Sequence, residues 1–82
     1  MKLLPVQVDC YAGSRADERP RRVRIRGREH IVARLLSASV EESLASKSRA
    51  HRYRVLTEEG LMLDLVRASD GNWYLERERP AK

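Results

Sequence analysis

Apolar and polar residues alternate along much of this chain with a period of two. Val6, Val8 and Cys10 alternate with Gln7 and Asp9, Val23 and Ile25 with Arg22, Arg24 and Arg26, and Tyr53 and Val55 with Arg52 and Arg54. That period is the mark of a strand with one buried face and one wet face. The first strand is expected from Leu3 to Tyr11, with Pro5 placing it at a sheet edge or at the strand's beginning. Ala12 to Arg19 carries Gly13, Ser14 and Asp17 and reads as a loop leading to Pro20.

Two hairpins follow from register. A two-residue Gly27-Arg28 turn of the II′ kind would set Arg26 against Glu29, Ile25 against His30, Arg24 against Ile31 and Val23 against Val32. One face then collects Val23, Ile25, His30 and Val32, while the other pairs Arg26 with Glu29. The neighbouring Leu35 and Leu36 point to a bulge or to burial on both faces. A three-residue loop Glu58-Glu59-Gly60, with Gly60 left-handed, sets the second hairpin. It faces Thr57 with Leu61, Val55 with Leu63 and Tyr53 with Leu65 on the inner side. Outside, it faces Arg54 with Asp64 and Leu56 with Met62.

Between the hairpins, Ser37 to Ser48 reads as a mobile loop. A short helix over 40–46 is the other option, since Ser39 and Glu42 have capping-box spacing and Val40 and Leu44 lie four apart. Ser69-Asp70-Gly71-Asn72 is a turn, and Trp73 to Arg79 is the last strand. A three-residue loop placing Trp73 opposite Ser69 turns Trp73 and Leu75 inward and Glu76 and Glu78 outward. Pro80 ends the pairing and leaves 80–82 as a flexible tail. These elements make an all-β fold of about six antiparallel strands, a meander curled into a small roll or open barrel of SH3-like or OB-like shape. Its 82 residues make a single domain, ordered over about 3–79.

Composition narrows the function classes. There is no Phe and one Trp, so branched aliphatics carry the core. No apolar run approaches the ~18 residues of a membrane span, and Pro5 and Asp9 come too early for a signal peptide. The lone Cys10 fits a reducing compartment; the expectation is a cytoplasmic monomer without a membrane contact. The net charge of +5 is uneven, with residues 19–34 alone carrying +6 and six arginines falling between Arg19 and Arg28. Arginine outnumbers lysine fourteen to three, a bias that phosphate or carboxylate recognition gives and that a GC-rich genome gives more simply.

Catalytic and metal chemistry find little support. Cys10, His30 and His51 lie about twenty residues apart, without the close ligand couples of zinc sites. Cys10 alternates with Val6 and Val8, which makes it a core thiol rather than a nucleophile. Glu41-Glu42 and Glu58-Glu59 are adjacent pairs whose side chains diverge, and there is no phosphate-binding glycine loop. The expectation is a non-catalytic domain without a cofactor.

The basic strand face remains. Curved sheets lined with cations hold single-stranded nucleic acid, but with aromatic residues interleaved as stacking platforms. Here the basic hairpin has none, and Arg26 and Arg54 are expected to face carboxylates. The nucleic-acid hypothesis therefore rests on Arg22, Arg24 and Arg28, helped by Arg19, Arg21 and Arg52. The alternative is a protein-interaction module using an edge strand or an exposed Leu56–Met62 pair.

The segments PVQVDCYAG, RPRRVRIRGREHIV, HRYRVLTEEGLMLDL and DGNWYLER together resemble a small bacterial all-β domain family of unassigned function. Its members share a Cys-Tyr-x-Gly start, an Arg-Pro before a strand ending in Gly, and a final Trp-x-Leu. The resemblance spans most of residues 5–78. It departs at Val23 and Ile25, where the family carries large aromatics, and this thins any stacking surface. Related domains occur alone and at the end of Y-family-polymerase-like proteins, so by analogy the resemblance implies a DNA-repair polymerase complex as partner.

Overall fold

The computed structural model describes residues 3–10, 19–45 and 48–81, and every regular element among them is a strand. In chain order these are β1 (Leu4–Cys10), β2 (Pro20–Ile25), β3 (Arg28–Ser43), β4 (Ser48–Thr57), β5 (Leu61–Arg67) and β6 (Trp73–Pro80). Each pairs antiparallel with its sequence neighbour, and β1 also pairs with β6, so the meander closes into a barrel. Two strands serve two partners in succession. Leu4–Val6 of β1 pair with β6 and Gln7–Cys10 with β2, while Arg28–Ile31 of β3 pair with β2 and Val32–Ser43 with β4. Bulges at Ala33 and Leu36 break the β3–β4 register, as the adjacent leucines suggest. Such insertions add twist where a strand changes partner.

The interior follows the alternation. Val23, Ile25, Val55, Leu63, Leu65, Trp73 and Leu75 form the buried cluster, with Val6, Val8, Cys10, Val32 and Tyr53 packed around it. Pro20 is buried opposite Cys10. Full burial of such an aliphatic side chain is worth about 1.5–3 kcal/mol. The Tyr53 and Trp73 rings lie 5.2 Å apart at 39°, a tilted contact worth about 0.5–1.5 kcal/mol beyond its area. The β4–β5 hairpin has the expected register, with Tyr53 opposite Leu65, Val55 opposite Leu63, Arg54 opposite Asp64 and Leu56 opposite Met62. Gly60 holds φ +92°, and the Thr57 hydroxyl accepts from the Leu61 amide at 3.0 Å.

The β2–β3 hairpin keeps its expected faces but not its expected turn. Arg26 and Gly27 both have positive φ, the signature of a type I′ turn. The register therefore moves by two residues, pairing Ile25 with Arg28, Arg24 with Glu29, Val23 with His30 and Arg22 with Ile31. Because the shift is even, Val23, Ile25 and His30 still point inward, but Arg26 loses Glu29 as its partner. The last turn behaves alike. Trp73 pairs with Arg67 rather than Ser69, Leu75 pairs with Leu65, and both stay buried. An Asx contact from Asp70 to the Asn72 amide and a left-handed Gly71 build that longer turn.

Two further expectations are corrected. Ser37 to Ser48 is neither loop nor helix over its described part: β3 runs to Ser43, a turn follows at 44–45, and β4 begins at Ser48. Cross-strand pairing of Val40 with His51, Glu41 with Ala50 and Glu42 with Arg49 outweighs the capping-box signal. A bulge at Glu76 shifts the β5–β6 register so that Glu78 pairs with Leu63, yet Glu78 stays exposed, as expected, at the rim of the barrel mouth. Pro80 does not end the pairing; it sits opposite Leu61, and the Ala81 amide donates to the Gly60 carbonyl at 2.9 Å. The expected loop at Ala12–Glu18, the tip at Ser46–Lys47 and the terminal Lys82 lie outside the described residues.

Candidate functional site

Three regions compete for function: the arginine face of β1–β3, the ribbon that β3 and β4 form beyond the barrel, and the barrel mouth beside the β4–β5 loop.

On the arginine face, alternation projects Arg22 and Arg24 outward from β2. The ladders place Asp9 opposite Arg22 and Glu29 opposite Arg24. Arg22 Nε lies 2.5 Å from Glu29 and its Nη1 lies 3.9 Å from Asp9, while Arg24 Nη2 lies 3.9 Å from Glu29. Two guanidiniums thus meet two carboxylates, and the patch is locally neutral. Arg19 is exposed ahead of β2, and Arg21 is exposed at the bulge between Cys10 and Asp9. Arg28 belongs to another surface: paired with Ile25, it points to the barrel mouth. Arg52 is held at the base of the ribbon by Glu41, at 2.6 Å, and by Glu76. The Glu41 hydrogen bond, with help from Glu76 and against partial burial, raises the Arg52 pKa further above its ordinary value. The six predicted arginines are therefore spread over several surfaces, and only Arg22 and Arg24 are brought together.

The Leu56–Met62 pair is half-buried rather than exposed. Arg34 faces Leu56 and Arg79 faces Met62 in the ladder, and Arg79 reaches the Met62 sulfur at 3.6 Å. Arginine stems cover apolar surface in this way while keeping the charge wet.

The ribbon is built differently. From Val32 to Ser43, β3 pairs with β4 alone, so its other edge meets no strand among the described residues. Leu36 is 40 % exposed, Val40 51 % and Leu44 93 %, and these are three of the four large apolar residues exposed among the described residues. Arg49–Glu42 at 3.1 Å and Arg52–Glu41 lace the two strands together. A cleft of about 220 Å³ opens where the ribbon meets the barrel, lined by Ser37, Ser39, Arg52, Arg54, Asp64 and Glu76.

At the mouth, His30 is only 4 % exposed. Its Nδ1 lies 2.8 Å from Glu59 Oε1, and since a carboxylate can only accept, Nδ1 donates. That hydrogen bond, with help from the Thr57 hydroxyl and the Arg28 charge and against partial desolvation, holds the Glu59 carboxyl below the ordinary carboxylate range. Sequence reasoning puts His30 on the inner face but offers no link to Glu59. The two are 29 residues apart and meet because the β3–β4 ladder, with Val32 opposite Thr57, brings the loop after β4 beside the start of β3. Cys10, His30 and His51 belong to no group of three or more possible metal ligands among the described residues. Among the described residues, no helix is long and apolar enough to cross a membrane.

No protein-family model, curated protein or solved structure matches the chain.

Proposed function

We propose that this chain is a non-catalytic interaction module that docks an extended segment of a protein partner along the β3 edge of the ribbon. The observation that carries this reading is the concentration of exposed apolar side chains there: Leu36, Val40 and Leu44. An open strand edge supplies unpaired backbone donors and acceptors, and neighbouring apolar side chains supply anchors. The cationic face of β2 is the weaker surface, because Asp9 and Glu29 neutralise Arg22 and Arg24.

Photo-crosslinking in cells tests the reading. A crosslinker at Val40 is expected to trap a discrete partner that one at Gln7, on the far wall, does not, and Ala38→Pro is expected to abolish the trap. Equal labelling from both positions overturns it. So does tight binding of a labelled single-stranded oligonucleotide that falls with salt at a log–log slope of about −3 to −5 and vanishes when Arg22 and Arg24 become Ser. That result would return function to the arginine face.

A further inference from the structure

We propose that the barrel mouth is a binding site for a small ligand bearing a carboxylate or phosphate group, held between the Arg28 guanidinium and the Nε2–H of a doubly protonated His30. A cavity of about 280 Å³ opens there, lined by Ile25, Arg26, Arg28, His30, Leu61 and Glu78. It lies apart from the ribbon and owes nothing to the proposed docking surface.

Four observations converge on this cavity. The first is the imidazole. Its Nδ1 is committed to Glu59, and Nε2 has no hydrogen-bond partner among the described residues although the ring is almost fully buried. A ring nitrogen in a cavity wall, with the opposite nitrogen fixed by a carboxylate, is oriented to meet a ligand. The second is charge. Two guanidiniums and one carboxylate line the space, so the lining is cationic even with a neutral imidazole. Glu59 does not line it, being engaged with His30 and Thr57.

The third is backbone conformation. Arg26 is the only non-glycine residue at positive φ among the described residues, at +50°. Type I′ turns favour Asn or Gly at that position, so an arginine costs conformational energy while bringing a second cation to the rim. The fourth is shape. Ile25 and Leu61 give the cavity apolar walls, and its volume suits a ligand little larger than a substituted benzene ring. The Arg28 guanidinium donates to an oxyanion in every state, and with Nδ1 donating to Glu59 the His30 Nε2 donates to it from the doubly protonated ring; charge-assisted bonds of this kind are the strong ones.

Nuclear magnetic resonance titration of the full chain with inorganic phosphate and, separately, with benzoate tests the site. Saturable shifts are expected at the His30 ring nitrogens and at the Arg28 and Leu61 amides. Response to benzoate alone assigns the ligand an apolar carboxylate, response to phosphate alone assigns it a phosphate, and either supports the oxyanion site. His30→Gln disturbs the core, so the exposed rim residues carry the decision. Arg28→Gln should weaken binding about tenfold, whereas Glu78→Gln should tighten it several-fold by removing the opposing charge. A gain of affinity is something a loss of fold cannot imitate. Shifts that never saturate with either anion, or that are unchanged in both variants, overturn the proposal.

Discussion

Strand β4 belongs to two hairpins that share a backbone and differ in almost everything else. With β5 it forms barrel wall: Val55 is buried opposite Leu63, Tyr53 pairs with Leu65, and Arg54 bonds Asp64 at 2.8 Å outside. With the far half of β3 its first residues form a ribbon whose β3 strand is exposed from Leu36 to Glu42. Both hairpins pair their facing backbone groups, but only the first has a buried side to repay the entropy of ordering. A two-stranded ribbon without such a side is marginal alone. What ties this one down is its continuity with the barrel and the Glu41–Arg52–Glu76 contact at its base. One half of the hairpin pair carries stability, and the other is available for a partner to cover.

The largest test of that division is Val55→Ala. Val55 is fully buried, and removing two methyl groups into a cavity should cost about 2–3 kcal/mol. For a domain of this size that lowers the melting temperature by roughly 10–20 °C, read by thermal circular dichroism. A loss under ~1 kcal/mol would mean that β4 is no more structural in the wall than in the ribbon.

The same contrast explains what could be read from the sequence. The wall was legible because two independent signals agreed on one register. Gly60 fixed the loop, and both Val55–Leu63 and Arg54–Asp64 pairings followed. In the arginine hairpin the faces were legible and the turn was not. Nothing in the sequence announces that Arg26 will take a left-handed conformation in place of a turn beginning with Gly27. The register error was even, so every inward residue survived it. The ribbon was misread because its serines and glutamates signal a loop whenever burial is the criterion, and it pairs without burial. At the candidate sites, Arg22 and Arg24 were placed on one face correctly. Their neutralisation came from Asp9, in a strand reached by a long connection, and from a glutamate assigned to Arg26. The His30–Glu59 contact depends on the β3–β4 register, which sets Val32 opposite Thr57 through two bulges that no local pattern encodes.

A smaller effect is expected from Gly60→Ala in the wall's loop. A Cβ there meets nothing within 4 Å, so the cost is purely conformational, from φ +92°. About 1–2 kcal/mol should be lost in chemical denaturation. An unchanged midpoint would show that the loop does not set the register. Smaller again is the effect of Glu59 in the same loop. Its folded-state pKa lies below the unfolded value, so its contribution is complete above the ordinary carboxylate range and is lost as pH falls through the lowered value. Stability curves of the native chain and Glu59→Gln should therefore separate near neutrality and converge toward acid. Parallel curves would remove Glu59 from the account. The exposure of the carboxylate keeps the separation small.

The smallest expected stability effect is the most informative, because the ribbon reading requires it to be small. Val40 and Val55 are the same residue type on paired strands, and Val40 is half exposed. Val40→Ser together with Leu44→Ser should shift the unfolding midpoint by no more than about 0.5 kcal/mol, as exposed positions away from a core do. If the pair is inert in stability and also leaves partner capture by a crosslinker placed at Ser39 unchanged, its apolar character serves neither folding nor docking, and the ribbon loses its claim. If stability instead falls by 2 kcal/mol or more, these side chains are packing against something, and the ribbon is part of the core's support rather than a free surface. Only loss of capture with an unmoved midpoint separates docking from folding, and an apolar side chain left in water is the one place in this barrel where the two can be separated cleanly.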